Sequence, residues 1–276
     1  NNYWNNSRIG NYWWDYAGSD DNDDGIGDSR HQMDTLETVY DYKPIWDDGF
    51  NGCSIHIDDK SCSHDWEWGE TRIWLEGSGT EEDPYLIENL EIDARYVDSG
   101  ITIENSNKSF IIRNVNVSNS KSGSVYAGIK LSYASNGVLQ GNRLESLLSE
   151  GIRIEYSENL TISDNYIYNS TEYGMQIGHQ CENITILGNH ILNVTTYGLY
   201  TYTSTHIRAF DNVIENILGS GYGMTLTQGS NHSLLRNNTI FDGKTGISLS
   251  DSDHVQILAN DIYNNSQSNT LFIVCS

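Results

Sequence analysis

The chain has 276 residues and a formal net charge of −23, from 38 acidic against 15 basic residues. That excess repels phosphate backbones and anionic lipid surfaces, which excludes nucleic acid as a partner and makes cations natural ones. No apolar run reaches the roughly eighteen residues of a membrane-spanning helix, so no membrane insertion is expected, and 18 tyrosines with 7 tryptophans exclude a disordered chain.

In chain order, the N-terminus NNYWNNSRIG lacks the basic and apolar regions of a secretion signal, so either a signal has been removed or the chain is an excerpt. Next comes GNYWWDYAGSDDNDDGIGDS, with a D-x-N-x-D-G-x-G-D pattern from Asp20, Asn22, Asp24, Gly25, Ile26, Gly27 and Asp28. Alternating side-chain oxygens, a glycine at the sharp turn, the Ile26 carbonyl and Asp28 describe an oxygen cage for Ca²⁺. Position twelve is His31 where an EF-hand has a bidentate glutamate, which points instead to the Asp-rich loops of extracellular proteins. Asp15, Asp21, Asp23 and Asp34 are candidate completing ligands; the competing reading is a solvated acidic turn. Further on, GCSIHIDDKSC places Cys53 and Cys62 close enough for a small disulfide in an oxidising compartment. A zinc site from Cys53, His56, Cys62 and His64 is the weaker alternative, because the spacing is irregular.

From Gly100 the chain repeats. Lines opening at Gly100, Gly128, Gly151, Gly174, Gly198, Gly223 and Gly246 share G-ϕ-x-ϕ, a turn, then ϕ-x-x-N-x-ϕ, with ϕ apolar, and TLFIVCS opens one more. Alternation of period two means short strands, and such a repeat buries its inward residues only by stacking on its neighbours, as a coil of a parallel β-helix does. Stacking at about 4.8 Å predicts ladders. Ile101, Ile129, Ile152, Met175, Leu199, Met224, Ile247 and Leu271 would fill the core. Asn142, Asn165, Asn189, Asn212, Asn238 and Asn260 would bond copy to copy, and Tyr173, Tyr197 and Tyr222 would stack at a corner. Cys181 and Cys275 then lie four coils apart and cannot pair within one molecule; Cys275 either bonds a neighbour's cysteine or stays a buried thiol.

This G-I-x-L…N-x-I-x-x-N-x-I rhythm over residues 100–276 resembles the parallel β-helix repeat family, which shares its right-handed β-helix with pectin-lyase-like enzymes and NosD-like periplasmic proteins. GSGTEEDPYLIENLEIDA (Gly77–Ala94) is similar to the segment that leads into the first coil of archaeal and bacterial NosD-like proteins. Residues 1–45 resemble the segment that closes such a β-helix, here placed first. The resemblance therefore implies that TLFIVCS followed by NNYWNNSRIGNYWWDY makes one whole coil across two copies. Leu271, Phe272, Ile273, Val274 and Cys275 of one copy would meet Tyr3, Trp4, Ile9, Tyr12 and Trp13 of the next, as subunits of a filament or as units of a longer tandem chain.

Ten asparagines match N-x-Ser/Thr: Asn5, Asn107, Asn116, Asn159, Asn169, Asn183, Asn193, Asn231, Asn237 and Asn264. They suggest a glycosylated extracytoplasmic protein; the rival explanation is that Asn, Ser and Thr crowd turns for their own hydrogen bonding. A polysaccharide-cleaving enzyme would need clustered acids, or calcium with an arginine base. Asp164 and Asp211 fall at equivalent places two coils apart, with Glu155 and Asp253 elsewhere, but no adjacent acid pair repeats with a His and Arg beside it, and Arg153, Arg208 and Arg236 are scattered. His179, His206, His232 and His254, the residues a copper reading would call on, fall at turn positions that do not coincide. Carbohydrate binding is a rival reading, with Tyr133 and Tyr156 stacked on one face and Tyr166, Tyr168, Tyr200 and Tyr202 on others.

The expectation is an all-β, right-handed parallel β-helix solenoid. Residues 1–45 form a calcium-binding junction or cap completing a neighbouring β-helix, 46–99 a loop-rich lead-in, and 100–276 about seven coils. The favoured function is structural: an extracellular, cell-surface, non-enzymatic protein that associates with itself head to tail and is stiffened by Ca²⁺. The alternative is a polysaccharide-binding or polysaccharide-cleaving β-helix.

Overall fold

The computed structural model describes residues 54–72, 74–219 and 221–267 in full, and the backbone of 31–32, 40–41 and 268–274. The chain winds as a right-handed parallel β-helix with three strands per coil. Its first strands form a nine-stranded sheet running from Ile55–Asp58 to Ser268–Val274. The second and third strands of each coil form two eight-stranded sheets, from Tyr85–Glu88 to Gln256–Leu258 and from Glu91–Asp93 to Asp261–Tyr263.

The predicted core ladder holds rung by rung. Ile101 pairs with Ile129, Ile129 with Ile152, and Ile152 with Met175. The column continues through Leu199, Met224 and Ile247 to Leu271. Ile101 to Ile247 in this column are all buried. Parallel sheets covered on one face by such columns need each coil to supply the same shape to the next, which is why the glycines recur. A Cβ on Gly174 would lie 2.3 Å from Ile191 Cγ2 and 2.7 Å from the Gly198 carbonyl oxygen, so only glycine lets the third sheet pass so closely into the first.

The asparagine ladder is also present. From Asn142 to Asn238 each amide donates to the next Oδ1 and to a backbone carbonyl one coil back, as Asn165 Nδ2 does to Asn189 Oδ1 (2.9 Å) and Leu139 O (3.0 Å), while Asn260 donates to Leu235 O alone. Left-handed residues with φ near +55° recur just after strand ends, as at Asn193, Asn237 and Asn264, and one residue inside them, as at Asn159, Asn169 and Asn183. Asparagine tolerates this region better than most residues. Six sequon asparagines are therefore explained by backbone geometry, and Asn183 Nδ2 further donates to Asn159 Oδ1 at 2.7 Å. Asn107, Asn116 and Asn231 have no such conformation, and Asn5 lies outside the described residues.

The lead-in differs from expectation. Seven coils follow Gly100 as predicted, but Ile55–Asp58, Tyr85–Glu88 and Glu91–Asp93 build a complete coil before them. The loop-rich character belongs to an insertion, residues 59–84, between its first two strands. Within it a short helix, Trp66–Gly69, is capped by Asp65 Oδ1, which accepts from Trp68 N at 2.9 Å. Trp66 is buried, stacked on Tyr85 at 4.4 Å, and donates through Nε1 to Ser106 Oγ at 2.7 Å. Aromatic burial and a satisfied indole N–H hold the insertion against the coils.

Candidate functional site

The insertion makes one wall of an open groove of about 1150 Å³, and the first corners of successive coils make the other. The corner wall carries Tyr133 and Tyr156, which stack at 4.6 Å with rings 3° from parallel. Tyr133 is 54% exposed. The ammonium of Lys60, donating to Asn105 Oδ1 at 2.9 Å, sits 5.9 Å over the Tyr133 ring. Asp59, Asp65, Glu67 and Glu70 line the insertion side, and Glu158 and Glu182 the coil side. Glu70 accepts from Tyr85 OH at 2.8 Å, and burial, reinforced by this hydrogen bond, raises that phenol's pKa.

The aromatic stack continues out of the groove. His179 stacks on Tyr156 at 5.1 Å, and its Nε2 lies 3.3 Å from Glu155 Oε1. Glu155 pairs with Arg153, whose other nitrogen reaches Glu150 Oε1 at 2.8 Å. Arg153 and Glu155 share the outer side of one strand because residues two apart do, and His179 joins them because its corner stacks on that of Tyr156. The sequence reads Arg153, Arg208 and Arg236 as scattered; the fold sets Arg153 between two glutamates with a histidine beside them. The cluster's signal is in the sequence: Tyr133, Tyr156 and His179 recur at one coil's spacing, directly after Ser132, Glu155 and Gly178. Arg208 and Arg236 stay outside the cluster, Arg208 donating to Asn183 Oδ1 at 2.7 Å.

Glu150 is completely buried, and desolvation pushes its carboxyl up to about 7 despite the attraction of Arg153. Its Oε2 and Arg153 Nε have no hydrogen-bond partner, so the pair is incompletely satisfied. Tyr202 closes the cluster from the next coil. It leans over Gly178, where a Cβ would lie 2.2 Å from its ring, and its OH accepts from Gln176 Nε2 at 3.3 Å. Burial pushes this phenol up to about 12. Beside it Tyr200, Tyr197, Tyr173 and Tyr222 form a stacked patch with centroids 5.0–5.9 Å apart. The predicted Tyr173–Tyr197–Tyr222 column is thus part of a wider aromatic surface. Tyr166 and Tyr168, by contrast, lie on the third sheet. Asp164 and Asp211 hold left-handed corners.

The histidines differ from expectation as well. His206, His232 and His254 stack on consecutive coils at 5.4 and 4.7 Å, whereas His179 belongs to the tyrosine column. Unequal turn lengths hide this alignment until each histidine is counted back six residues from its ladder asparagine, Asn212, Asn238 or Asn260.

Residues 79–271 match the family described as periplasmic copper-binding protein (NosD). The chain belongs to the NosD family. No curated protein matches this NosD-family chain. Among solved structures it is similar to the periplasmic alginate epimerase AlgG, at 12% identity over 59% of this chain and 47% of that one, TM-score 0.47. It is similar to the Azotobacter vinelandii mannuronan C-5 epimerase AlgE4 A-module at 12% identity over 72% and 66%, TM-score 0.47. For PfbA, a surface adhesin of Streptococcus pneumoniae, the values are 17% identity over 66% and 70%, TM-score 0.32. The chain spans less than two thirds of the length of either epimerase.

The family's description raises copper, and the described residues do not fit it. Among them no three His, Cys, Asp or Glu side chains converge as a metal site. The stacked histidines put their nitrogens in successive layers. Cys181 is buried, its thiol pushed up to about 11 by burial, and its Sγ donates to the Gly178 carbonyl at 3.1 Å. Met175 and Met224 fill the core. Of the zinc alternative, His56 pairs with Glu104 (3.3 Å) and His64 with Ser63 Oγ (2.9 Å). The calcium residues Asp20, Asn22, Asp24, Ile26 and Asp28, and Cys53 of the expected disulfide, lie outside the described residues, while Cys62 is exposed. So do Tyr3, Trp4, Ile9, Tyr12, Trp13 and Cys275 of the expected junction. Leu271–Val274 add a parallel strand to the last coil.

Proposed function

We propose that this NosD-family β-helix is an extracytoplasmic carbohydrate-binding protein, with the ligand lying in the groove between the insertion and the first corners. The exposed Tyr133–Tyr156 stack carries this reading. Sugar rings present apolar C–H faces that pack on aromatic rings, and their hydroxyls bond to carboxylates and amides such as those lining both walls. A largely pre-formed concave site of this kind binds without reordering the backbone. The family's periplasmic description supports a place outside the cytoplasm, and no helix among the described residues is long and apolar enough to cross a membrane. Titrating oligosaccharides into wild type and Tyr133→Ala/Tyr156→Ala tests the reading. Affinity should fall at least about tenfold in the variant; an unchanged affinity refutes the groove as the site.

A second reading, head-to-tail association completed by residues 1–45 and stiffened by calcium, is favoured by one observation. The outer edge of Ser268–Val274 meets no other described strand, and uncovered edges recruit strands. Electron microscopy with and without a calcium chelator tests it: uniformly single particles in both conditions would remove it.

A further inference from the structure

We infer that Asn107 is a glycosylation site whose sugar chain folds back into the groove, so that the carbohydrate held there is one the protein carries itself. This rests on the carbohydrate reading of the groove and adds the source of the ligand. Asn107, Lys108 and Ser109 form an N-x-Ser acceptor in the turn between Ile101–Glu104 and Phe110–Arg113. Left-handed backbone accounts for six of the other sequon asparagines. Hydrogen bonds hold the half-buried Asn116 and Asn231, the first to Glu91 Oε1 and the second from Asp253 N. Neither reason applies at Asn107. Its backbone is not left-handed, and its exposed side chain makes no hydrogen bond with the described residues. The acceptor motif is what remains to explain an asparagine there.

Independently of the motif, the fold puts this side chain at the groove. Among the described sequon asparagines only Asn107 lines it, with Tyr133, Ser135, Tyr156 and Ser157 of the next two coils. Its turn is fixed against the Tyr133 turn: Ser135 N donates to Ser106 O at 2.9 Å, and Asn136 Nδ2 donates to Asn107 O at 3.1 Å. The two turns are therefore one coil apart, about 4.8 Å along the axis, which the first sugar units on Nδ2 can span. Tyr133 stays 54% exposed even with Lys60 over its ring and Tyr156 stacked on it, so its edge and hydroxyl are open to a sugar. In the transfer, Asn107 Nδ2 bonds to the anomeric carbon of a lipid-phosphate-linked sugar donor. The anomeric carbon–oxygen bond breaks, the phosphate leaves with the electron pair, and Nδ2 gives up one proton. Tethering then holds the sugar at an effective concentration of about millimolar, and a free glycan enters only by displacing it.

The experiment takes the full chain, as wild type and Ser109→Ala, from a glycosylating host and from one that does not glycosylate. Glycopeptide mass spectrometry should find sugar at Asn107 of the wild type from the first host and none there in Ser109→Ala. That sugar should raise the melting temperature by a few degrees over Ser109→Ala, with the two unglycosylated proteins as baseline. The rise should vanish when the comparison is repeated in a Tyr133→Ala/Tyr156→Ala background. By calorimetry, the β-linked N-acetylglucosamine trimer should bind glycosylated wild type at least about tenfold more weakly than glycosylated Ser109→Ala. Asn107→Cys coupled to an iodoacetamide derivative of the same trimer should show the same loss in any host. Wild type treated alike controls for Cys62, which is exposed. Asn107 found unmodified, or a sugar there that changes neither melting nor trimer affinity, overturns the inference. The carbohydrate reading survives either result if the trimer binds unmodified wild type and not the tyrosine double variant. It fails with the inference if the trimer does not bind unmodified protein and the coupled sugar has no effect.

Discussion

Replacing Asn165 by alanine should destabilise the β-helix by about 3–5 kcal/mol, and the figure can be built from its bonds. Asn165 is 1% exposed, and its Oδ1 accepts from Asn142 N at 3.0 Å and Asn142 Nδ2 at 2.9 Å. Its Nδ2 donates to Leu139 O at 3.0 Å and Asn189 Oδ1 at 2.9 Å. Alanine strips the side-chain partners from the Asn142 N–H and the Leu139 carbonyl, at about 1–3 kcal/mol for each group left buried and unpaired. The other two groups keep partners, since Asn142 Nδ2 still reaches Ile112 O and Asn189 Oδ1 still accepts from Asn165 N, so they lose only a fraction of this. Asn260, the last rung, is half-buried and makes three such bonds. Water can replace its partners, and Asn260→Ala should cost about 1–2 kcal/mol. Asn165→Asp retains acceptors where the ladder needs donors, so it should be at least as damaging as alanine near neutral pH and recover partly in acid. Urea denaturation followed by circular dichroism measures all three. If Asn165→Ala lies within about 1 kcal/mol of wild type, or costs no more than Asn260→Ala, the ladder is not a stabilising element and the reasoning is wrong.

Glu150 makes stability depend on pH. Its folded pKa of about 7 stands above the ordinary 4.5, so its contribution is complete below the unfolded value and is lost as pH rises through 7. Glu150→Gln mimics the neutral acid, and should be near neutral in effect at pH 5 but stabilising by on the order of 2–3 kcal/mol at pH 9; a pH-independent difference between the two proteins would contradict this. Gly174→Ala forces a Cβ against Ile191 and the Gly198 carbonyl, and should lower stability by at least about 2 kcal/mol, whereas Gly229→Ala, with nothing within 4 Å, costs only its positive-φ strain. If Gly174→Ala melts no lower than Gly229→Ala, close packing at that corner is not limiting. Mass spectrometry of protein from a glycosylating host should find glycan, if anywhere, at exposed Asn107 before half-buried Asn193, whose Oδ1 accepts from Asn216; modification confined to Asn193 would argue otherwise.

The coils, their inward column, the asparagine rungs and the Tyr173–Tyr197–Tyr222 stack were all legible in the sequence. In a solenoid each residue's nearest neighbours are its own copies one coil away, so a period read along the chain is already a contact map. The first coil at Ile55 escaped notice because residues 59–84 separate its strands. The same holds for the histidine column, whose spacing follows turns of unequal length and not the glycine that opens each line. Tertiary structure alone decided that Trp66 docks the insertion onto Ser106 and Tyr85, which turns a plain corner into a groove. It also decided that Arg153 reaches both Glu150 and Glu155, and that Tyr202 leans in over Gly178 from a later coil. Those contacts depend on where an insertion folds back and which way long side chains lean. Packing around each particular residue sets both, and no periodicity encodes either.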